Sequence, residues 1–427
     1  MKILSIETSC DETAVSVLEC SGDSIVVLGN ALASQVDLHA AYGGVFPAMA
    51  KRAHTEKIIP LLTEALRQAG LLTEIQHDRK HSNILENTRI KNDTSERNKA
   101  VQDMCTHEKG LAEQIISFGE QYAIPDINHI AVTAGPGLEP ALWVGVNTAE
   151  ALATLWDKPL SAINHMEGHV ISAVFEQKSE KSFSVRHLQY PALALLVSGG
   201  HTELVLIDAP RSYKKIGETR DDAVGEAFDK VARILGLSYP GGPKISVLAR
   251  EARDQRLEST VTLPRPMLHS GEYDFSFSGI KTAVLYLVRD LQKKDATTNG
   301  DSHSNILENT RIKYDIAREF EDAVVEVLVK KTFDAINEYH VQTLIVGGGV
   351  AANTYLRAEI EKRKESDTPD LAVHFPTKEL STDNSIMIGM ALYYQLLHGQ
   401  NKKAVSNIKA DGNLSIENQK SPLMRTS

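Results

Sequence analysis

Cysteine is scarce in this 427-residue chain. Its three thiols, Cys10, Cys20 and Cys105, are odd in number and show no Cys-x-x-Cys spacing. Neither a disulfide framework nor a zinc knuckle is implied. Positive charge is also in deficit, with 46 Lys and Arg against 56 Asp and Glu and a formal net charge of −10. The overall field therefore does not draw nucleic acid, so any RNA must be held by a local basic patch or a partner subunit. No apolar stretch approaches the roughly 18 residues of a membrane span. The run after Met1 reaches Glu7 too early for a signal-peptide core. The expected address is the cytoplasm, with no membrane contact.

What is present reads as a globular α/β protein. Hydrophobic residues make up 42% and charged residues 24%, and the length suffices for two domains. Residues 2–8 and 13–19 read as strands around the polar turn Ser9-Cys10-Asp11-Glu12. The pattern returns near residue 192: Ala192 to Val197 is apolar, Ser198-Gly199-Gly200-His201-Thr202 is a turn, and Glu203 to Ile207 is apolar again. Two such openings predict either a duplicated lobe, each turn offering backbone N–H groups to a phosphate, or two ordinary hairpins. Helical periodicity follows in Ala50 to Gln68 and Ile316 to Tyr339, and a strand from Thr343 to Val346 runs into Gly347-Gly348-Gly349.

Two segments look foreign to this frame. Residues 81–91 and 303–313 carry the same eleven residues in polar surroundings. Repeats under functional selection drift, so an identical pair reads as recent insertion into surface loops. On that reading deletion of residues 78–110 leaves activity intact. The other reading is a basic RNA- or partner-touching arm built on Arg79, Lys80, Arg89 and Lys91.

The sharpest chemical signal is His165-Met166-Glu167-Gly168-His169. Residues four apart on a helix lie about 40° apart around its axis, so the imidazoles share a face and can hold one metal. Such pairs also occur as surface or capping residues, and spacing alone leaves both open. A His-Glu-x-x-His protease puts its general base directly after the first His. Glu167 instead lies about 200° round from His165, which argues against a protease. Asp383, before an apolar helix starting near Ile386, reads as a third ligand, or else Thr382 or Asp383 is an N-cap. Two imidazoles and a carboxylate suit iron(II) or zinc with positions left open. Ser198-Gly199-Gly200 lacks a Walker lysine, yet its glycines let amides approach an anion. Gly347-Gly348-Gly349 reads as a nucleotide turn or as close packing. Tyr239-Pro240-Gly241-Gly242-Pro243 reads as a rigid turn against an adenine face.

At these residues the chain resembles the universal tRNA threonylcarbamoyladenosine transferase family, near its bacterial TsaD-like members. The matching segments include Ile6 to Thr13, Tyr42 to Val45, Thr133 to Leu138, His165 to His169 and Leu196 to Thr202. They continue with Gly225 to Lys230, Tyr239 to Pro243, Phe275 to Lys281, Gly347 to Val350 and Thr382 to Asn384. The resemblance implies two actin-like, RNase H-type lobes with a nucleotide and metal cleft between them. The expected division is 1–190 for the first lobe, with an insert at about 73–124, and 191–383 for the second, with an insert at about 293–312. Residues 384–427 are expected to return to the first lobe.

The resemblance further implies one divalent metal, Fe(2+) ahead of Zn(2+), on His165, His169 and Asp383. It implies nucleotide contacts from Leu196, Val197, Ser198, Gly199, Gly200, Asp229, Gly242 and Asn353, and a catalytic part for Asp11 and Glu12. The implied reaction moves threonylcarbamoyl from threonylcarbamoyl-AMP to N6 of adenosine 37 in tRNAs reading codons that start with A. Implied partners are tRNA, a TsaB-like paralogous scaffold, a TsaE-like ATPase and the synthase that supplies the donor. The competing classes are a metalloprotease, an actin-like kinase and a non-catalytic scaffold. One departure stands out: Ser385-Ile386-Met387-Ile388 follows Asn384 where relatives carry small residues, which alters helix packing.

Overall fold

The computed structural model describes residues 1–40, 42–75, 95–257, 259–299, 310–399 and 407–418, without the side chains of 295–299. The chain divides into two compact units. The first is Met1–Gln35, Val45–Arg186 and Asp383–Ser427; the second is Val36–Gly44 and His187–Thr382.

The first unit holds strands β1 (Lys2–Glu7), β2 (Glu12–Ser21), β3 (Ser24–Ser34), β4 (His129–Gly135), β5 (Leu160–Asn164), β6 (Phe175–Ser179) and β7 (Ser182–Val185). They form one sheet in the order β5-β4-β1-β2-β3-β7-β6. The β1–β2–β3 meander is antiparallel, whereas β4 and β5 run parallel to β1. Strand β1 is buried on both faces, because its alternate side chains serve different helices. Leu4 and Ile6 pack with Ile58, Leu62 and Leu142 from the helices Pro47–Gln68 and Glu139–Trp156. The opposite face, with Ser5 and Leu18, meets the helix Ser385–Leu397, whose first eleven residues are all buried. That helix comes within van der Waals reach because Gly389 has no side chain. A Cβ there would stand 2.4 Å from Leu18 Cδ1.

The second unit repeats the plan. Its strands are β8 (Ala192–Val197), β9 (Thr202–Ala209), β10 (Ser212–Glu218), β11 (Thr343–Gly347) and β12 (Ala372–His374), in the order β10-β9-β8-β11-β12. Again three antiparallel strands are followed by two parallel to the first. With β8 in the place of β1, the order is the one β3-β2-β1-β4-β5 forms in the first unit. The duplicated plan is thus present as strand topology, and the two-hairpin alternative falls. The unit's core joins β8 and β9 to the helices Val224–Ile234 and Thr310–Tyr339, with Phe228 and Phe320 edge to face at 4.9 Å.

The expected inserts need correction. Residues 81–91 and 303–309 lie outside the described residues. Around them, however, the chain is structured. Residues 95–104 are helical, and Val101 and Cys105 are buried in the core of the first unit. Glu108 is buried too, 2.8 Å from Lys51 Nζ and accepting a 2.6 Å hydrogen bond from Asn147 Nδ2. Deleting 78–110 would therefore remove core, and the inert reading fails for 95–110. In the second copy, residues 310–313 open the helix Thr310–Tyr339 and Ile312 packs against the core. Apolar residues at helical spacing were present in 95–105, but the polar tract before them masked the pattern.

Candidate metal centre and nucleotide loop

Strand β5 passes straight into the helix His165–Val174, and its last residue is the cap. Asn164 Oδ1 accepts from the backbone N–H of Met166 at 2.9 Å and of Glu167 at 3.2 Å. This satisfies amide donors that a helix start leaves without partners. His165 and His169 follow on one face, both buried, with ring centroids 4.7 Å apart. Gly168 lets the helix Ser385–Leu397 approach, since a Cβ there would be 3.1 Å from both Met387 Cγ and Ile388 Cδ1. The larger residues after Asn384 thus pack on Gly168.

Asp383 completes the group. Its Oδ1 lies 3.4 Å from His165 Nε2 and 3.1 Å from His169 Nε2. The expected capping role of Thr382 or Asp383 is corrected: Asn384 is the N-cap, its Oδ1 accepting from Met387 N at 2.9 Å. Asp383 is left to face the imidazoles. Among the described residues these three form the one cluster whose ligand atoms all lie within 4.8 Å of one another.

The donor set fits a divalent ion, and one orphaned side chain supports the fit. The His169 ring is fully buried, yet neither nitrogen has a hydrogen-bond partner. Its 3.1 Å approach to Asp383 is not along a hydrogen-bond direction. A buried polar ring without partners is costly, and a metal would satisfy it. Ligand atoms about 2.1 Å from one ion stand roughly 3–4 Å apart, as Asp383 Oδ1 does from each imidazole Nε2. Without an ion, burial disfavours the His165 imidazolium, but Asp383 and Glu7 outweigh it and push the pKa up to about 10. Burial holds His169 below its usual value. Burial opposes ionisation of Asp383, but the two imidazoles hold its carboxyl well below the carboxylate range.

The β1–β2 turn carries Asp11 and Glu12. Burial, then Asp383 and Asp11, push Glu12 up to about 9, and its Oε1 accepts from Ser34 Oγ at 3.2 Å. Burial also pushes the Cys10 thiol well up, which makes it a poor nucleophile. The turn's amides are only partly free: Ser9 N already donates to Glu7 Oε1 at 2.5 Å. Glu167 is buried, and its Oε2 accepts from Gln395 Nε2 at 2.5 Å. It bonds within the packing rather than joining the cluster, contrary to what a protease requires.

In the second unit Leu196 and Val197 are buried strand residues, and the Ser198–His201 turn closes on itself. Gly199 and Gly200 are exposed, and a Cβ on either would meet nothing within 4 Å. Asp229 Oδ1 accepts from Gly241 N at 2.6 Å and so fixes the start of the helix Gly241–Asp254, on which Gly242 lies. Asn353 serves the fold directly. It caps the helix Thr354–Asp367 through Leu356 N at 2.9 Å, while its Nδ2 donates to Glu321 and Ser246. The sequence reading missed Glu7, His54 and Asn164, which hold the turn and helix from behind. Glu7 lay inside a recognised motif but had no assigned partner. His54 donates through Nε2 to the Cys10 carbonyl at 2.9 Å and accepts at Nδ1 from Thr13 Oγ1 at 2.7 Å.

A family model described as TsaD, tRNA N6-adenosine threonylcarbamoyltransferase, matches residues 26–77 and 109–390. The chain belongs to this family. A tRNA N6-adenosine threonylcarbamoyltransferase of Staphylococcus saprophyticus is 40% identical over 392 residues, 92% of this chain and 90% of that protein. One of Ralstonia pickettii is 40% identical over 391 residues, with the same shares. One of Staphylococcus aureus strain Newman is 38% identical over 415 residues, 97% of each chain. A ROK hexokinase structure from Thermus thermophilus is 12% identical, covering 93% of this chain and 100% of that one at a TM-score of 0.39. That is too distant to support any inference. As a member of the TsaD family the protein is a transferase. The family match skips 78–108, which spans residues outside the described set and the structured helix alike.

Proposed function

We propose that the protein transfers threonylcarbamoyl from threonylcarbamoyl-AMP to N6 of adenosine 37 in tRNAs reading codons that begin with A, releasing AMP. The reading is carried by the gathering of His165, His169 and Asp383 around an imidazole with no hydrogen-bond partner, in a chain of this family. These three residues would hold one divalent ion, Fe(2+) ahead of Zn(2+). When bound it would supply Lewis acidity toward the donor's oxygens.

The remaining work falls to the chain's own groups. The exposed Gly199 and Gly200 amides bind the donor phosphate and stabilise AMP as it leaves. Leu196, Val197 and Ser198 set that turn, and Gly242, held by Asp229, leaves room for the nucleoside. Asn353 contributes by fixing its helix. The adenine N6 attacks the carbamoyl carbon, the bond from that carbon to the phosphate oxygen breaks, and the N6 proton passes to Asp11. Glu12, whose carboxyl pKa is pushed up first by burial and then by Asp383 and Asp11, stands beside it. No helix among the described residues is long and apolar enough to cross a membrane, and we place the reaction in the cytoplasm. A TsaB-like scaffold, a TsaE-like ATPase and a donor-forming synthase are the proposed partners.

A single-turnover reaction with purified threonylcarbamoyl-AMP, unmodified tRNA and these partners tests the donor. Equal yields of AMP and of label at adenosine 37 are expected. Label appearing only when ATP and free threonine replace the preformed donor contradicts it.

A further inference from the structure

Glu7, the last residue of β1, is fully buried, and among the described residues its one ion-pair partner is His165. A buried carboxylate is costly unless hydrogen bonds compensate it. Glu7 receives three donors. Ser9 N reaches Oε1 at 2.5 Å, while Thr133 Oγ1 at 2.5 Å and His165 Nδ1 at 3.2 Å share Oε2. Ser9 Oγ also lies 3.2 Å from His165 Nδ1. The geometry on the other side of the ring is complementary, for Nε2 faces Asp383.

We propose that Glu7 is the positioning residue of the metal centre, anchoring His165 in the Nδ1–H tautomer so that its Nε2 lone pair points at the ion. This rests on the proposed metal reading of His165, His169 and Asp383. Both Glu7 oxygens accept, Oε1 from Ser9 N and Oε2 from Thr133 Oγ1, so the hydrogen between Glu7 and His165 is the one on Nδ1. The remaining lone pair is then on Nε2, the nitrogen facing Asp383. A carboxylate behind a ligating imidazole also raises its basicity and restricts ring rotation. His169 has no such partner, so the two ligands differ: one is held from behind, the other only by packing. Through Ser9 N the same carboxylate fixes the start of the turn that carries Asp11 and Glu12.

The simpler alternative is that Glu7 only satisfies the turn. Glu7→Gln separates the two, since the amide keeps size and one acceptor but cannot accept from Ser9, Thr133 and His165 together. Thr133→Val removes one donor to Oε2 and leaves the carboxylate. Cobalt(II) binding, followed by its visible absorption, is measured for wild type, both variants and the His165→Ala/His169→Ala double variant. Glu7→Gln is expected to bind about 10–100-fold more weakly with an unchanged far-ultraviolet circular dichroism spectrum. Thr133→Val is expected to stay within about threefold of wild type, well short of that loss. Equal binding by wild type and Glu7→Gln overturns the role of Glu7 alone. No binding by wild type, or full binding by the double variant, overturns the metal reading itself. Should Glu7→Gln not fold, imidazole 15N shifts of the zinc-loaded wild type decide the matter. A protonated His165 Nδ1 supports the proposal, and a protonated Nε2 overturns it.

Discussion

At the scale of single residues the proposed metal centre sets the expectations. His165, with its pKa raised to about 10 when no ion is bound, carries a proton at neutral pH that a metal must displace. Lowering the pH adds competing protons, so affinity falls. Below that pKa the apparent affinity should drop about tenfold per pH unit, and loading at pH 7 should release about one proton per site. Isothermal titration in buffers of different ionisation enthalpy checks this; a pH-independent affinity would contradict it. Asp11→Asn removes the proposed proton acceptor and should lower single-turnover transfer by about 10²–10⁴-fold. Metal content should stay the same. Undiminished transfer would remove the assignment. That His165, His169 and Asp383 come together was legible because helical spacing and the family motif pointed to the same atoms. Glu7 and His54 were not. Their work lies in hydrogen bonds to Ser9 N and the Cys10 carbonyl, and no residue pattern announces a backbone partner.

At the scale of elements, two caps place the site. Asn164 starts the helix of the histidines, and Asn384 starts the helix behind Asp383. Asn384→Ala should cost about 1 kcal/mol of stability, read from denaturant unfolding. It should also weaken metal binding, because the cap fixes the residue next to a ligand. Loss of stability with unchanged metal affinity would mean that Asp383 is held by other contacts. The apolar run from Ile386 predicted a helix correctly. Which neighbour capped it was not readable, since Thr382, Asp383 and Asn384 are all competent caps and only the backbone geometry chooses among them. Strands β1, β2, β8 and β11 were legible to within a residue or two from continuous apolar runs bounded by polar turns. Strands β6 and β7 were not anticipated; half-exposed sequences such as Phe175–Ser179 carry little period-two signal.

At the scale of the whole molecule, the repeated strand order is what the two similar openings at Ser9–Glu12 and Ser198–Thr202 foreshadowed. The sequence could not separate a duplicated fold from two hairpins, because the parallel strands β4, β5, β11 and β12 arrive long after each opening. The inserts show the converse limit. An identical repeat read as inserted sequence, but the segment after its first copy is structured, with Val101, Cys105 and Glu108 buried beyond the polar tract. Replacing residues 76–94 by a short Gly/Ser linker should leave melting temperature and transfer near wild type. Extending the deletion through 108 should cost several kcal/mol, about 1.5–3 kcal/mol from Val101 alone, with more from Lys51 left beside a missing carboxylate. Equal stability of the two deletions would show that this helix contributes nothing to the core.

The most direct test of the central claim is metal-dependent transfer of labelled threonine onto unmodified tRNA. The mixture holds this protein, a donor-forming synthase, the partner subunits, ATP and bicarbonate. The His165→Ala/His169→Ala variant, shown by circular dichroism to be folded like the wild type, is run in parallel. Label is expected at the tRNA adenosine with wild type and is expected to be lost with the variant. Equal labelling by both proteins would contradict it.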